Sequence, residues 1–154
     1  PVLDNEAGAA IRQALARAGG GTAGGEGWVK RATYHGFLDL NHVRRPGTRG
    51  AGSHFRGKAV EAVTTLEVPS DLAARVRVAW DDHLVMRVND GEPIDFGANQ
   101  HFRQRTVDVP LKRGRNRVSV ILSNEAGTNH GGWAFAFRAT KPDGTILVPR
   151  FEGR

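Results

Sequence analysis

The chain has 154 residues, enough for one domain with a core of its own, and a hydrophobic fraction of 39% argues against wholesale disorder. It contains no cysteine, which excludes disulfides, thiolate catalysis and cysteine-based zinc sites. A net charge of +6, carried mostly by arginine, favours anionic surfaces in general, and no apolar run reaches the ~18 residues of a membrane span.

The chain opens at Pro1 rather than Met, which reads as a processed or excised piece. Residues 1–18 read as a helical arm. Ala7, Ala10, Ile11, Ala14, Leu15 and Ala18 recur at helical spacing, and Asp4 or Asn5 is placed to cap the start. Residues 19–27, GGGTAGGEG, form a flexible glycine-rich linker. Gly19, Gly21 and Gly24 satisfy G-x-G-x-x-G formally, but a dinucleotide site needs a strand before it and a helix after it, and here the order is helix and then linker.

Residues 28–154 change to a period of two. Val60, Ala62, Thr64, Leu66 and Val68 share one parity, as do Ala74, Val76, Val78 and Trp80, then Leu84, Met86 and Val88. Val107 with Val109, Val118 with Val120 and Leu122, and Trp133 with Phe135 and Phe137 continue the pattern. Each run predicts a strand with one buried face. NDG at 89–91, KRGRN at 112–116 and KPDGT at 141–145 supply turn residues between them. Short strands at regular spacing predict an all-β sandwich or barrel, and residues 41–57 and 94–102 read as its longer loops.

Tests for catalytic chemistry fail. GSHFRGKA at 52–59 has the glycine-lysine spacing of a phosphate loop, but Ala59 stands where a Ser or Thr would hold magnesium. The six histidines show no metal-protease spacing, and no G-x-S-x-G elbow occurs. WDDHLVMRVNDGEPI at 80–94 reads as a β-hairpin. Asp81 and Asp82 are adjacent, so a strand points them to opposite sides, the wrong geometry for a glycosidase pair; they read as turn chemistry, hydrogen-bonding nearby amides. The acid-free stretch 42–58 carries Arg44, Arg45, Arg49, Arg56 and Lys58, a basic contact loop or simply a solvated one.

The segments AVEAVTTLEVPSDLAARVRVAWDDHLVMRVNDGEPI and VDVPLKRGRNRVSVILSNEAGTNHGGWAFAFR resemble the galactose-binding-like β-sandwich modules appended to glycoside hydrolases. The shared features are an Asp-Asp pair before a hydrophobic-x-hydrophobic-Asn-Gly strand, a P-hydrophobic-x-x-G-x-N run and a G-G-W-x-F ending, with GFLDLN at 36–41 similar to the opening strand. Two departures stand out: His83 replaces a glycine, and Asp90 lengthens the turn between Asn89 and Gly91. The resemblance covers about residues 28–149 and implies an antiparallel jelly-roll. The PA14-type lectin sandwich also carries an Asp-Asp pair; that weaker resemblance implies Asp81 and Asp82 as calcium ligands, the one cofactor in view.

Such modules are non-catalytic; they bind carbohydrate or pack against a catalytic domain. A sugar site needs an aromatic face and planar polar side chains. Trp28, Tyr34 and Phe102 are the aromatics outside the alternating core faces, and Asn99, Gln100, His101 and Arg103 flank Phe102. Trp133 shares a face with Phe135 and Phe137 and reads as core. The expectation is a secreted or cell-surface accessory module whose partners are carbohydrate and a catalytic domain of the parent protein. Two alternatives stay open: a self-assembly module contacting neighbouring copies through the helical arm and basic loops, and an electrostatic binder of anionic polymers. Nucleic acid is not expected, because stacking aromatics are not interleaved with the basic residues.

Overall fold

Side chains that alternate between apolar and polar form sheets when the apolar face can meet another one. A computed structural model of the chain describes residues 36–40, 58–99, 101–124 and 132–150. Their regular elements are β1 (Phe37–Asp39), β2 (Lys58–Val68), β3 (Leu72–Asp81), β4 (His83–Val88), β5 (Ile94–Ala98), β6 (Arg103–Leu111), β7 (Gly114–Asn124), β8 (Ala134–Thr140) and β9 (Ile146–Leu147). The predicted helical arm and glycine linker lie outside the described residues.

The strands form two antiparallel sheets. The first runs β1-β8-β3-β6, with β9 also pairing β8; the second runs β2-β7-β4-β5. Successive strands alternate between the sheets, apart from the β4–β5 and β8–β9 pairs, which gives the jelly-roll order. The apolar parity of each strand faces inward: Leu66 and Val68, Val76, Val78 and Trp80, Leu84 and Met86, Val118, Val120 and Leu122, and Phe135 and Phe137 form one core. Each fully buried aliphatic side chain contributes about 1.5–3 kcal/mol. Trp133 is 1% exposed and belongs to that core, as expected.

Two sequence motifs meet at the end of the second sheet. Asn116, fully buried, accepts hydrogen bonds from the Lys112 amide at 2.9 Å and from Asn89 Nδ2 at 3.0 Å. Its own amide donates to the Lys112 carbonyl at 2.7 Å and the Gly114 carbonyl at 3.2 Å. Asn89 holds φ at 52°, and its Oδ1 accepts the Arg117 amide at 2.9 Å. Asparagine serves at both positions because its side chain is donor and acceptor at once, and at Asn89 because it tolerates positive φ.

Two expectations are corrected. Residues 80–94 are not one hairpin: β3 belongs to the first sheet and β4 to the second, so Asp81 and Asp82 sit where the chain crosses between them. The hairpin is β4–β5, closed at 89–93. Residues 94–102 are not wholly a loop, because they include β5. That strand was hard to read: it is short, its register against β4 shifts between Leu84 and Val85, and Gly97 takes φ of 81° inside it.

Candidate functional site

The outward face of the first sheet carries two exposed aromatic rings. Phe37 follows the turn at Gly36 and points away from the core, because Leu38 and Leu40 on the opposite parity are the ones that pack inward. Phe102 immediately precedes β6, whose first residue, Arg103, pairs with core-facing Trp80. The rings are 46% and 49% exposed, yet they meet edge-to-face with centroids 6.0 Å apart at 66°. Between them lies a low floor. Phe37 pairs with Ala136, Ala136 with Ala79, and Ala79 with Gln104, so two methyl groups separate the outer strands in that row.

Backbone contacts hold Phe37 and the end of β5, which lies ahead of Phe102 in the chain. At Gly36, with φ of 80°, the carbonyl accepts the Phe137 amide at 3.0 Å, and a Cβ there would overlap the Phe137 carbonyl oxygen. Glycine therefore lets the chain approach β8 closely enough to place Phe37. Ahead of Phe102, Trp80 Nε1 donates to the Gly97 carbonyl at 2.9 Å, and the Asn99 amide donates to the Asp82 carbonyl at 2.9 Å. The Trp80 ring packs on Phe96 at 5.4 Å, and the Arg105 guanidinium lies 5.9 Å from the Phe96 centroid on its other contact. Residues 96–99 are thus tied to both sheets.

The acid pair is buried where the chain passes between the two sheets. Asp81 is 8% exposed and Asp82 1%, and the peptide between them is cis. They are buried because a chain passing from one sheet to the other at this corner is enclosed by both. Asp81 Oδ2 lies where a side chain on residue 132 would stand, and Asp81 Oδ1 has no hydrogen-bond partner among the described residues. His83 Nε2 and Asp95 Oδ1 are 2.8 Å apart, and the same oxygen accepts the Gly97 amide at 2.8 Å. No group of three or more His, Asp or Glu side chains suited to a metal occurs among the described residues. The calcium expectation for Asp81 and Asp82 therefore has two carboxylates to stand on there.

Of the residues expected to bind sugar, Phe102, His101 and Arg103 are exposed at the head of β6, while Asn99 is half-buried and held by its backbone bond to Asp82. Trp28, Tyr34 and Gln100 lie outside the described residues, as do Arg44, Arg45, Arg49 and Arg56. Lys58 begins β2, but its side chain is also outside them. Sequence reasoning missed Phe37, Gln104 and the alanine floor. The available signal was the parity of GFLDLN, in which Phe37 and Asp39 oppose Leu38 and Leu40.

No protein-family model matches the chain, and no curated protein does. Two solved structures are similar to part of the chain. One is a family 35 carbohydrate-binding module from an environmental isolate, 20% identical with a TM-score of 0.42, covering 61% of this chain and 73% of that one. The other is a family 35 carbohydrate-binding module from Clostridium thermocellum, 16% identical with a TM-score of 0.35, covering 53% of this chain and 70% of that one.

Proposed function

We propose that this chain is a non-catalytic carbohydrate-binding module of a larger extracytoplasmic protein, and that it takes a sugar ring against the Phe37–Phe102 pair. The observation that carries the reading is the contact of two half-exposed aromatic rings above a floor of alanines on the outward face of the first sheet. Large apolar side chains left in water together mark a surface that meets a ligand. A pyranose offers a C–H face to such rings and a rim of hydroxyls to planar polar groups. Gln104, on the same parity of β6 as Phe102, supplies one in the alanine row, and His101 and Arg103 are exposed next to Phe102 in the chain.

The test is affinity electrophoresis against a broad glycan panel, followed by calorimetry on any hit. Phe37→Ala and Phe102→Ala should each weaken binding by about tenfold or more, the equivalent of 1.4 kcal/mol, without lowering Tm. Failure to retain any glycan, or retention unchanged in both variants, overturns the reading.

A further inference from the structure

The next row of the same sheet face carries a second feature. Arg77 on β3 and Arg138 on β8 are directly opposed across the strand pair, and both are exposed. Neither makes a hydrogen bond or ion pair with a described residue, whereas Arg75, two residues along, reaches Asp108 at 3.5 Å. Thr106 lies on the other side of Arg77. Opposed side chains on antiparallel strands have Cβ atoms about 4.5–5.5 Å apart, and like charges so placed repel one another. The register thus sets two arginines opposite one another, neither of them paired with a carboxylate among the described residues. Their row lies two residues from the Phe37–Ala136–Ala79–Gln104 row, about 7 Å along the strands.

We infer that this face recognises a polysaccharide bearing terminal tetrahedral oxyanions, ester sulfate or phosphate monoester, with the oxyanion bridging Arg77 and Arg138 while a neighbouring sugar ring lies on Phe37 and Phe102. The inference rests on the sugar reading above and adds the chemical class. A carboxylate has two coplanar oxygens, and a single bidentate guanidinium fork satisfies both. A tetrahedral ester has three terminal oxygens, enough to serve two forks that approach from adjacent strands.

The probes are dextran sulfate, dextran phosphate monoester, carboxymethyl dextran of matched charge density and duplex DNA, titrated into the intact chain at ~150 mM salt, where purely electrostatic binding is weakened. The sulfate or phosphate polymer should bind about tenfold or more tightly than the carboxymethyl polymer, a difference of 1.4 kcal/mol. Which of the two binds identifies the ester. Arg77→Ala with Arg138→Ala should remove that preference without lowering Tm, and Arg77→Lys with Arg138→Lys, which keeps charge but loses the forks, should remove most of it. Equal binding of carboxymethyl dextran or DNA, or a preference that survives either double substitution, overturns the inference. If Phe37→Ala and Phe102→Ala leave the arginine-dependent preference and the overall affinity untouched, the stacking reading falls and the oxyanion contact stands.

Discussion

The Asp81 carboxylate fills the space in front of Gly132, so that a Cβ on residue 132 would overlap Asp81 Oδ2. One residue is the last of β3 and the other directly precedes Trp133 and β8, strands that pair with each other. The Asp-Asp pair and the Gly-Trp ending, two motifs far apart in the chain, are therefore complementary parts of one corner. Gly132→Ala should destabilise the fold by about 1–3 kcal/mol, as overpacking a buried site does. In an Asp81→Ala background the same substitution should cost clearly less. A double-mutant cycle by chemical denaturation measures this coupling, and additive costs would show that the two residues do not share the space.

The buried corner also predicts the response to calcium. With Asp81 and Asp82 enclosed for structural reasons, millimolar calcium and excess chelator should leave Tm unchanged to within about 1 °C. A calcium-dependent rise that chelator reverses, and that Asp81→Asn abolishes, would instead assign the pair to a metal.

Asn116 is a heavily committed polar side chain at the other end of the sandwich, with bonds to Lys112, Gly114 and Asn89. Its replacement by alanine leaves buried groups without partners and should cost about 2–3 kcal/mol. Asn89→Gly retains the positive φ but loses the side-chain bonds, so it should cost less than Asn89→Ala, which loses both. Equal Tm values for the two Asn89 variants would remove the backbone part of this account.

Gly36 links stability to the site. Gly36→Ala forces a Cβ toward the Phe137 carbonyl at a positive φ and should loosen β1 from β8. Glycan affinity should then fall together with stability, because Phe37 loses its position. Phe37→Ala should lower affinity alone, and calorimetry with thermal denaturation on the two variants separates these effects.

Acid sensitivity has an identifiable contributor at Asp71. The Arg113 amide, at 2.7 Å, and Lys112 Nζ, at 3.0 Å, bond its carboxylate and hold it below its ordinary value of 3.8. A carboxyl whose pKa falls on folding adds stability above the unfolded value, and the gain is lost as pH drops through the folded value. Asp71→Asn should therefore flatten the acid limb of a stability-versus-pH curve below about pH 4 and change its slope little near neutrality. An unchanged acid limb would rule the group out as a contributor.

The strands were legible where one face meets the core. β2, β3, β7 and β8 carry an apolar residue at most inward positions, because those positions meet the opposite sheet. β5 was not legible, because a register shift and a positive-φ glycine interrupt five residues. Phe102 stood out as a lone aromatic in a polar stretch, whereas Phe37 was hidden inside a strand pattern whose outward side reveals nothing about its neighbours.

By itself the sequence determined the all-β class, the inward residues and the turn positions, since alternation and backbone tolerance are local properties. Only the tertiary structure decided that Asp81–Asp82 bridges two sheets, that Phe37 touches Phe102 and that Arg77 opposes Arg138. Those facts depend on which strands pair, and pairing is settled by burying all the apolar faces together rather than by any one stretch of chain.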